Sequence, residues 1–420
     1  MSSRSLSPRQ WRLLFLLHCA PRFDASHGGG RLIAQLLRAL ADRHRLGVIY
    51  LRDRTEPAID DVLRQCCELV EEVPRSNAPR TLLQRAGHRI GILLAPLLGM
   101  PRWAAHLPGA ECAGRVRRIA GEWQPDIVQL EFSVMARYLD ALDDCPAPRL
   151  LTHHMPGADT VPSALLRGGG WRLPGRWLDR RAWRRFEQRV VNEMQAVVTF
   201  TERDRRAIHE WNPALPVTCI PPSIAVPEQP LNPAGHAPPT VAFVGNYGHP
   251  PNRDAAERLA RYIMPLVRRR CPDAVLSLVG NRPPAALRRL QGAEVKVPGW
   301  VADVSPYLND AAVVAAPVRL GGGIRVKVLE ALAAGKAIVA SALAVEGMDV
   351  TDGVEVVLAA TDQEFADRIT ELLLDPTRRM NLAARARAWA CVNLGARRSI
   401  EAYERIYREL LADRRQVPSA

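Results

Sequence analysis

Short apolar runs alternate with amphipathic stretches along the whole chain. The first run, Leu13 to Cys19, reads as a buried strand and is followed by a glycine-rich loop, His27 to Arg31. The apolar residues after this loop recur at helical spacing. The same alternation continues through RLGVIYLRD, PDIVQLE, PRLLTHH and QAVVTFTERD. Because it is typical of a parallel sheet covered by helices on both faces, the first half is predicted to be a doubly wound α/β domain.

A proline-rich segment without periodicity begins at Pro221 and separates two such halves. After it the alternation restarts, and six short strands are predicted within TVAFVGN, AVLSLVGN, EVKVPGW, AAVVAAPV, KAIVAS and VEVVLAA. We therefore expect a first domain over residues 1–222, a linker over 223–239 and a second α/β domain over 240–390. A helical segment over 391–420 is expected to cross back to the first domain.

Composition agrees with an ordinary two-domain globular protein. The chain has 420 residues, of which 47% are hydrophobic and 24% are charged. The apolar run from Trp11 to Ala20 is interrupted by Arg12 and His18, is too short to span a membrane and lacks a signal-peptide cleavage pattern. The eight cysteines form no CxxC pair, which indicates a reducing cytosol, buried thiols and no zinc site. A cytoplasmic location is expected.

The formal net charge of +13 indicates an anionic partner, and phosphorylated substrates, acidic lipids and nucleic acid all satisfy it. Eight arginines between Arg75 and Arg118 surround the apolar sequence IGILLAPLLGM, and the stretch from Leu166 to Val190 interleaves eight more with Trp171, Trp177 and Trp183. Such stretches can lie on an anionic bilayer, so peripheral attachment to the inner membrane face is predicted. A solvated helix surface remains the alternative. Nucleic acid is not expected, because no binding motif accompanies the charge.

The segment with the clearest chemistry is PVRLGGGIRVKVLEALAAGKAIVAS, which begins at Pro317. Three glycines, Gly321 to Gly323, follow a predicted strand and precede a predicted helix. A glycine loop that leads into a helix N-terminus offers unpaired backbone N–H groups to a diphosphate. Glu330 lies about two turns into that helix, where a carboxylate can accept both hydroxyls of a ribose.

This segment resembles the signature of the retaining glycosyltransferases of family four, which have the GT-B fold, and the resemblance extends over nearly the whole chain. In that signature an acidic residue precedes a second glutamate by eight positions. Glu330, followed by ALAAGKAIVAS, matches the second position, whereas Gly322 stands at the first. The GGGIRVK form is similar to a variant of the family. The resemblance implies two Rossmann-like domains facing across a cleft and transfer of a sugar from a nucleotide diphosphate donor.

The resemblance also assigns roles to individual residues. In the second domain, Arg325 and Lys327 are expected to neutralise the departing phosphate as catalytic cations. The segment FVGNYGHPPNRDA has asparagines where many relatives place an arginine and a lysine for the diphosphate. The expected donor-binding residues of this domain are Gly245, Asn246, Arg253, Arg282, Gly322, Gly323, Ile324 and Glu330.

In the first domain, Gly28, Gly29 and Gly30 resemble the loop that faces the donor diphosphate, with a plain turn as the alternative. His154 resembles the family's acceptor-side histidine and is favoured over His153, with a satisfied structural histidine as the alternative. Four residues are predicted to cap helices. Thr201, Glu202 and Asp204 follow the predicted strand in QAVVTFTERD, and Asp303 lies in the second domain.

The resemblance further implies retention of anomeric configuration by front-face attack, in which the leaving phosphate takes the acceptor's proton. The co-substrate that the resemblance implies is a nucleotide diphosphate sugar. No DxD pair follows a predicted strand, so no metal or other cofactor is expected. A glycan or lipid-linked acceptor in polysaccharide biosynthesis is expected. Two alternatives stay open: a nucleotide-sugar epimerase on the same fold, and a non-catalytic module that binds sugar nucleotides or membranes.

Overall fold

The computed structural model describes residues 10–25, 27–75, 82–154 and 173–416. Within these ranges the chain forms two sheets whose neighbouring strands are all parallel. The first has the order β3-β2-β1-β4-β5-β6-β7. Its strands are β1 (Arg12–Leu17), β2 (Arg45–Arg52), β3 (Leu69–Pro74), β4 (Ile127–Glu131), β5 (Arg149–His153), β6 (Ala196–Thr199) and β7 (Val217–Cys219).

The second sheet has the order β10-β9-β8-β11-β12-β13. Its strands are β8 (Thr240–Val244), β9 (Val275–Val279), β10 (Val295–Gly299), β11 (Ala311–Ala316), β12 (Ile338–Ala340) and β13 (Val357–Leu358). In each sheet the strand order reverses at one point, between β1 and β4 and between β8 and β11. In open α/β sheets a ligand crevice lies beyond the carboxyl ends of the strands at such a point.

Helices cover both sheets. Those of the first half are α1 (Gly28–Ala41), α2 (Asp61–Cys66), α3 (Leu82–Leu94), α4 (Arg102–Ala105), α5 (Ala110–Trp123), α6 (Leu173–Glu193) and α7 (Glu202–His209), with 3-10 turns at Ala95–Leu98 and Ser133–Leu142. Those of the second half are α8 (Pro250–Arg258), α9 (Met264–Arg268), α10 (Ala285–Arg288), α11 (Ser305–Asp310), α12 (Val326–Ala333), α13 (Asp362–Leu374), α14 (Pro376–Asn393) and α15 (Ala396–Gln416). A short π-helix at Leu259–Ile263 joins α8 to α9, and a short 3-10 helix forms at Ala342–Val345.

The strand sequences explain this arrangement. Leu13 to Leu17 in β1 and Ala311 to Ala316 in β11 are buried throughout. Continuous apolar runs of this kind are typical of strands covered on both faces, as the sequence predicted. The helix after β1 is α1, and the glycine loop and α12 follow β11, so both helices start beside the two reversal points.

The C-terminal helix α15 returns to the first domain. Five of its apolar side chains are buried in the core of the first sheet: Ile400, Tyr403, Ile406, Tyr407 and Leu410. This part of the predicted fold is confirmed. The preceding helix, α14, packs against α12 in the second domain.

One local feature differs from the sequence prediction, and the place of the predicted linker is now visible. Gly28 to Gly30, predicted as a loop, form the first turn of α1. Residues 223–239, predicted as a linker, lie along the second domain: the Leu231 N–H donates to the Ala334 carbonyl at 2.9 Å, and the His236 N–H donates to the Asp310 carbonyl at 3.0 Å.

Candidate functional site

The first turns of α1 and α12 meet across the cleft between the two sheets. A Cβ at Gly28 would lie only 2.7 Å from Cγ2 of Val326, the first residue of α12. The first N–H groups of a helix lack intrahelical partners, and its N-terminus carries partial positive charge. Two such ends at one cleft favour the binding of a diphosphate between them.

The start of α1 is built around His27. Its Nδ1 accepts a hydrogen bond from the Gly30 N–H at 3.1 Å, so the hydrogen of the neutral ring is on Nε2. Burial, followed by the charge of Arg31, lowers the pKa of His27 to about 4. The ring is therefore neutral at pH 7. Gly29 has no room for a side chain, because a Cβ there would lie 2.6 Å from Cζ of Phe132.

The glycine loop before α12 depends on backbone conformation. Gly321 and Gly323 have φ values of +91° and +72°, which L side chains rarely adopt. Arg325 folds back over this loop and donates to the carbonyls of Gly321, Gly322 and Gly323. Its guanidinium is thus occupied by the loop. The loop carbonyls need such donors once they are removed from water. Contact of Arg325 with a phosphate stays a prediction.

Lys327 lies in the first turn of α12, and its side chain contacts the loop after β8. Its Nζ donates to Asn252 Oδ1 at 2.5 Å and lies 4.4 Å from the centroid of the Phe243 ring. Burial, followed by the charges of Arg325 and Arg31, lowers the pKa of Lys327 to about 7. Of the two predicted catalytic cations, Lys327 is therefore the one with a proton to gain when an anion approaches.

The loop after β8 brings several predicted donor-binding residues together. A Cβ at Gly245 would lie 3.0 Å from Lys327 Nζ, so this glycine leaves space for the amine at the strand end. Asn246 Oδ1 accepts from the Gly248 N–H at 2.9 Å and thereby shapes the loop. Arg282 is exposed and has a φ of +56°.

The other predicted donor-binding residues lie nearby. Arg253 is in the first turn of α8, and its N–H donates to the His249 carbonyl at 3.1 Å. Ile324 is partly buried against the core of the second domain.

Glu330 is held by the opposite domain. The Arg31 guanidinium of α1 forms two hydrogen bonds with it, Nε to Oε1 at 2.6 Å and Nη2 to Oε2 at 3.0 Å. The side chains are 23% and 22% exposed, so this pair connects α1 and α12 at the rim of the cleft. Contact of Glu330 with ribose hydroxyls stays a prediction.

His154 follows β5, and Glu131 ends the neighbouring strand β4. The His154 Nε2 lies 2.7 Å from Glu131 Oε2. Phe132 stacks on the His154 ring at 3.9 Å between centroids and meets His18 at 4.2 Å. Phe132 has a φ of +72°, a strained conformation for a residue other than glycine, and such strain is common at functional sites. His153 instead lies 3.1 Å from buried Glu187.

Sequence reasoning missed several of these residues. Glu131, Phe132 and Arg31 were not among the expected site residues, although each contacts one. One signal was present: a charged residue closes the apolar run of β4, and Glu131 is 1% exposed. Buried carboxylates need partners, so its position at a strand end already indicated a polar contact in the cleft.

Among the described residues, His18, Cys19 and His27 have potential metal-ligand atoms within 4.8 Å of one another. Nδ1 of His27 is already the acceptor that caps α1. Burial raises the pKa of the Cys19 thiol to about 12, which disfavours the thiolate that metals bind. A metal here would have to break the helix cap and remove the thiol proton.

Of the four predicted helix caps, Thr201 is confirmed as the N-cap of α7, whereas the N-cap of α11 is Val304. The Thr201 hydroxyl accepts from the Asp204 N–H at 3.1 Å, and Glu202 and Asp204 occupy the first turn of α7. Asp303 Oδ1 accepts from the Ser305 N–H at 2.8 Å where α11 begins.

An apolar surface lies on the first domain where α3 and the following 3-10 turn pack beside α6. Trp177 of α6 is 59% exposed, and the Arg181 guanidinium lies 5.5 Å from its ring centroid. Trp183 is instead buried and stacks on Trp103, so it is not part of this surface. Leu166 to Arg172, with Trp171, lie outside the described residues. The exposed apolar side chains of the α3 region are Ile90, Leu93, Leu94, Leu97 and Leu98.

We searched the described helices for one long and apolar enough to cross a bilayer and found none.

Two family models match the chain. The model described as Glycosyltransferase Family 4 matches residues 26–226, and the model described as Glycosyl transferases group 1 matches residues 238–375. No curated protein matches the sequence.

Several solved structures are similar over almost the entire chain. Sucrose-phosphate synthase from Thermosynechococcus elongatus has a TM-score of 0.69 at 16% identity, covering 96% of this chain and 100% of its own. Anabaena HepE, in complex with UDP and glucose, has a TM-score of 0.63 at 15% identity, covering 95% and 100%. TarM of S. aureus, in complex with fondaparinux, α-GlcNAc-glycerol and UDP, has a TM-score of 0.66 at 9% identity, covering 95% and 100%. At these identities the likeness shows the GT-B fold, which the sequence predicted.

Proposed function

Since the chain belongs to the family 4, group 1 glycosyltransferases, we propose that it transfers a sugar from a nucleoside diphosphate sugar to an acceptor. The proposed transfer retains the anomeric configuration of the sugar and needs no metal ion. The observation that carries this proposal is the meeting of two helix N-termini beside Lys327. Together they supply backbone N–H groups and a cation where a diphosphate leaving group needs them.

Two described acids of the cleft support front-face attack. Glu131 is engaged by His154, and Glu330 is paired with Arg31. Neither is presented as a free nucleophile for a covalent intermediate. In the proposed mechanism the leaving phosphate accepts the proton of the acceptor hydroxyl while the new glycosidic bond forms on the same face.

UDP-sugars are the first donors to test, because HepE and TarM were solved with UDP. The purified protein is incubated with UDP-, GDP- and ADP-sugars and glycan or lipid-linked acceptors, and product anomers are identified by NMR. We expect an axial or equatorial linkage that matches the donor. Inversion contradicts the mechanism. Epimerisation of the donor sugar supports the epimerase, and donor binding with neither transfer nor hydrolysis supports the non-catalytic module.

Metal independence has its own test. Turnover in EDTA is expected to equal turnover in buffer, because protein groups neutralise the leaving phosphate. Activity that is lost in EDTA and restored by manganese contradicts this part of the proposal.

We further propose that the first domain binds anionic membranes reversibly, which would bring a lipid-linked acceptor to the cleft. Five exposed leucine and isoleucine side chains and Trp177 form the apolar part of the surface. Exposed arginines of α6 lie on the same domain: Arg180, Arg181, Arg184 and Arg185. Each arginine near an anionic bilayer contributes about 1 kcal/mol, so four suffice for measurable binding.

Vesicle co-sedimentation tests this surface. Changing the four arginines of α6 to glutamine is expected to abolish binding to phosphatidylserine vesicles at low salt. The matched control removes the same charge from exposed arginines of the second domain: Arg261, Arg269, Arg270 and Arg289. Equal losses in both variants, or no binding by the unaltered protein, contradict a specific membrane surface.

A further inference from the structure

A buried chain of hydrogen bonds connects the C-terminal helix to His154. The Tyr407 hydroxyl of α15 donates to Gln129 Oε1 at 2.6 Å, and Gln129 Nε2 donates to Glu131 Oε1 at 2.7 Å. Glu131 Oε2 lies 2.7 Å from His154 Nε2. Tyr407 and Gln129 are fully buried, Glu131 is 1% exposed and His154 is 6% exposed.

The direction of each bond follows from its chemistry. Burial raises the pKa of Tyr407 well above its ordinary value, so its hydroxyl stays protonated and donates. The Gln129 carbonyl oxygen accepts this hydrogen bond. The amide NH₂ group of Gln129 therefore faces Glu131 and Thr152, and its Nε2 lies 3.0 Å from Thr152 Oγ1. An ionised carboxylate only accepts hydrogen bonds. Glu131 therefore requires a hydrogen on His154 Nε2.

The ring plane is fixed as well. Phe132 stacks on His154 with an interplanar angle of 6°, and Phe200 meets it edge-on at 4.9 Å. With Nε2 occupied by Glu131, Nδ1 is the ring nitrogen left for a substrate. His154 and Glu131 also line a small cavity beneath α1, together with Tyr403.

We propose that Glu131, Gln129 and Tyr407 are positioning residues that hold His154 in a single tautomer and orientation at the acceptor side of the cleft. This inference rests on the proposed function, in which His154 contacts the acceptor. It also gives α15 a part in the site, because this helix crosses back and supplies the Tyr407 hydroxyl, the hydrogen-bond donor that orients Gln129. Partners of this kind, one step from the reacting group, typically change affinity or activity by about 10- to 100-fold in metal sites.

The decisive variant is Glu131→Gln. Its new amide oxygen can accept from Gln129, which leaves its NH₂ group facing His154 and forces Nε2 to become an acceptor. The hydrogen must then move to Nδ1. We expect kcat to fall about 10- to 100-fold, with the KM for the donor unchanged, because the donor site does not include this chain.

Nitrogen-15 NMR of histidine-labelled protein reads the tautomer without relying on turnover. His154 signals are assigned by their loss in His154→Gln. In the unaltered protein Nε2 is expected to have the shift of a protonated ring nitrogen, and Glu131→Gln is expected to exchange the two shifts. Glu187→Gln is the matched control, since it changes the buried carboxylate beside His153 and is expected to leave the His154 signals in place.

Tyr407→Phe provides a second, milder variant. Loss of one hydrogen bond to Gln129 frees its amide to rotate, and we expect about a fivefold fall in kcat with a mixed tautomer signal. Unchanged His154 signals in both Glu131→Gln and Tyr407→Phe overturn the inference. If the unaltered protein transfers no sugar, the proposed function fails, while the NMR comparison still decides whether this chain positions His154.

Discussion

A three-glycine sequence lies at the start of a helix on both sides of the cleft, inside α1 on the first side and before α12 on the second, and the two triplets serve different physical purposes. Gly28 to Gly30 lie inside the first turn of α1, and Gly28 and Gly29 are restricted by neighbours, Val326 and the Phe132 ring, that leave no room for a Cβ. Before α12, Gly321 and Gly323 are instead required by their left-handed backbone. Glycine supplies space on the first side and conformation on the second.

The chemistry differs in the same way. On the first side a neutral ring, His27, caps the helix, whereas on the second side Arg325 gathers the loop carbonyls and Lys327 lies beside the strand end. Cationic and carboxylate groups are thus concentrated at α12. We infer that the second side holds the donor, while the first side closes over it.

The largest effect is expected for Glu330→Gln. A carboxylate that accepts two hydroxyls contributes about 2 to 3 kcal/mol, so the donor Kd should rise roughly 30- to 160-fold in calorimetry. Arg31→Ala removes the partner from the first side but keeps the carboxylate, and its effect should be smaller. Donor affinity that survives Glu330→Gln contradicts the assignment of the donor to the second side.

Lys327→Met should weaken donor binding by about 10- to 30-fold at pH 6.5, because a charged donor to the diphosphate is lost. The pKa of Lys327 is lowered to about 7, so its charged fraction falls as the pH rises above that value. Donor affinity should therefore decrease between pH 6.5 and 8.5 in the unaltered protein. A pH dependence that persists in Lys327→Met would assign the titration to another group.

Gly323→Ala tests the conformational role of the second triplet. A left-handed φ costs a residue with a Cβ about 1 to 2 kcal/mol, and urea unfolding should show this loss of free energy of unfolding. Gly353→Ala is a control with the same strain, since its φ is +75° and no atom crowds its Cβ position. Both variants should lose stability, but only Gly323→Ala should also weaken donor binding.

Gly28→Ala tests the role of space on the first side and should have the smallest effect. The new methyl group meets Val326 across the cleft, which should hold the domains apart and lower kcat/KM about fivefold with little change in stability. Adding Val326→Ala should restore activity. If the second substitution gives no recovery, the two helix starts do not meet during turnover.

Local patterns predicted the fold well. Uninterrupted apolar runs, helical spacing and glycine before a helix are short-range signals, and they correctly gave parallel strands and the return of the last helix. They could not show that Gly28 is already helical, because His27 supplies an unusual cap.

The pairings in the site were out of reach of these patterns. Arg31 and Glu330 are 299 positions apart and lie on different domains, and Tyr407 reaches Gln129 across 278 positions. Such contacts depend on how the folded helices and strands pack against one another. Arg325 illustrates the same limit, since a basic residue beside a glycine loop can bind a phosphate or satisfy the loop itself.

The most direct test of the account is calorimetric binding of UDP, GDP and ADP in comparison with uridine, guanosine and adenosine, all in EDTA. The meeting of two helix N-termini beside Lys327 predicts that at least one diphosphate binds more than about tenfold tighter than its nucleoside without a metal. Equal affinities for diphosphate and nucleoside, or diphosphate binding that appears only with a divalent cation, would contradict it.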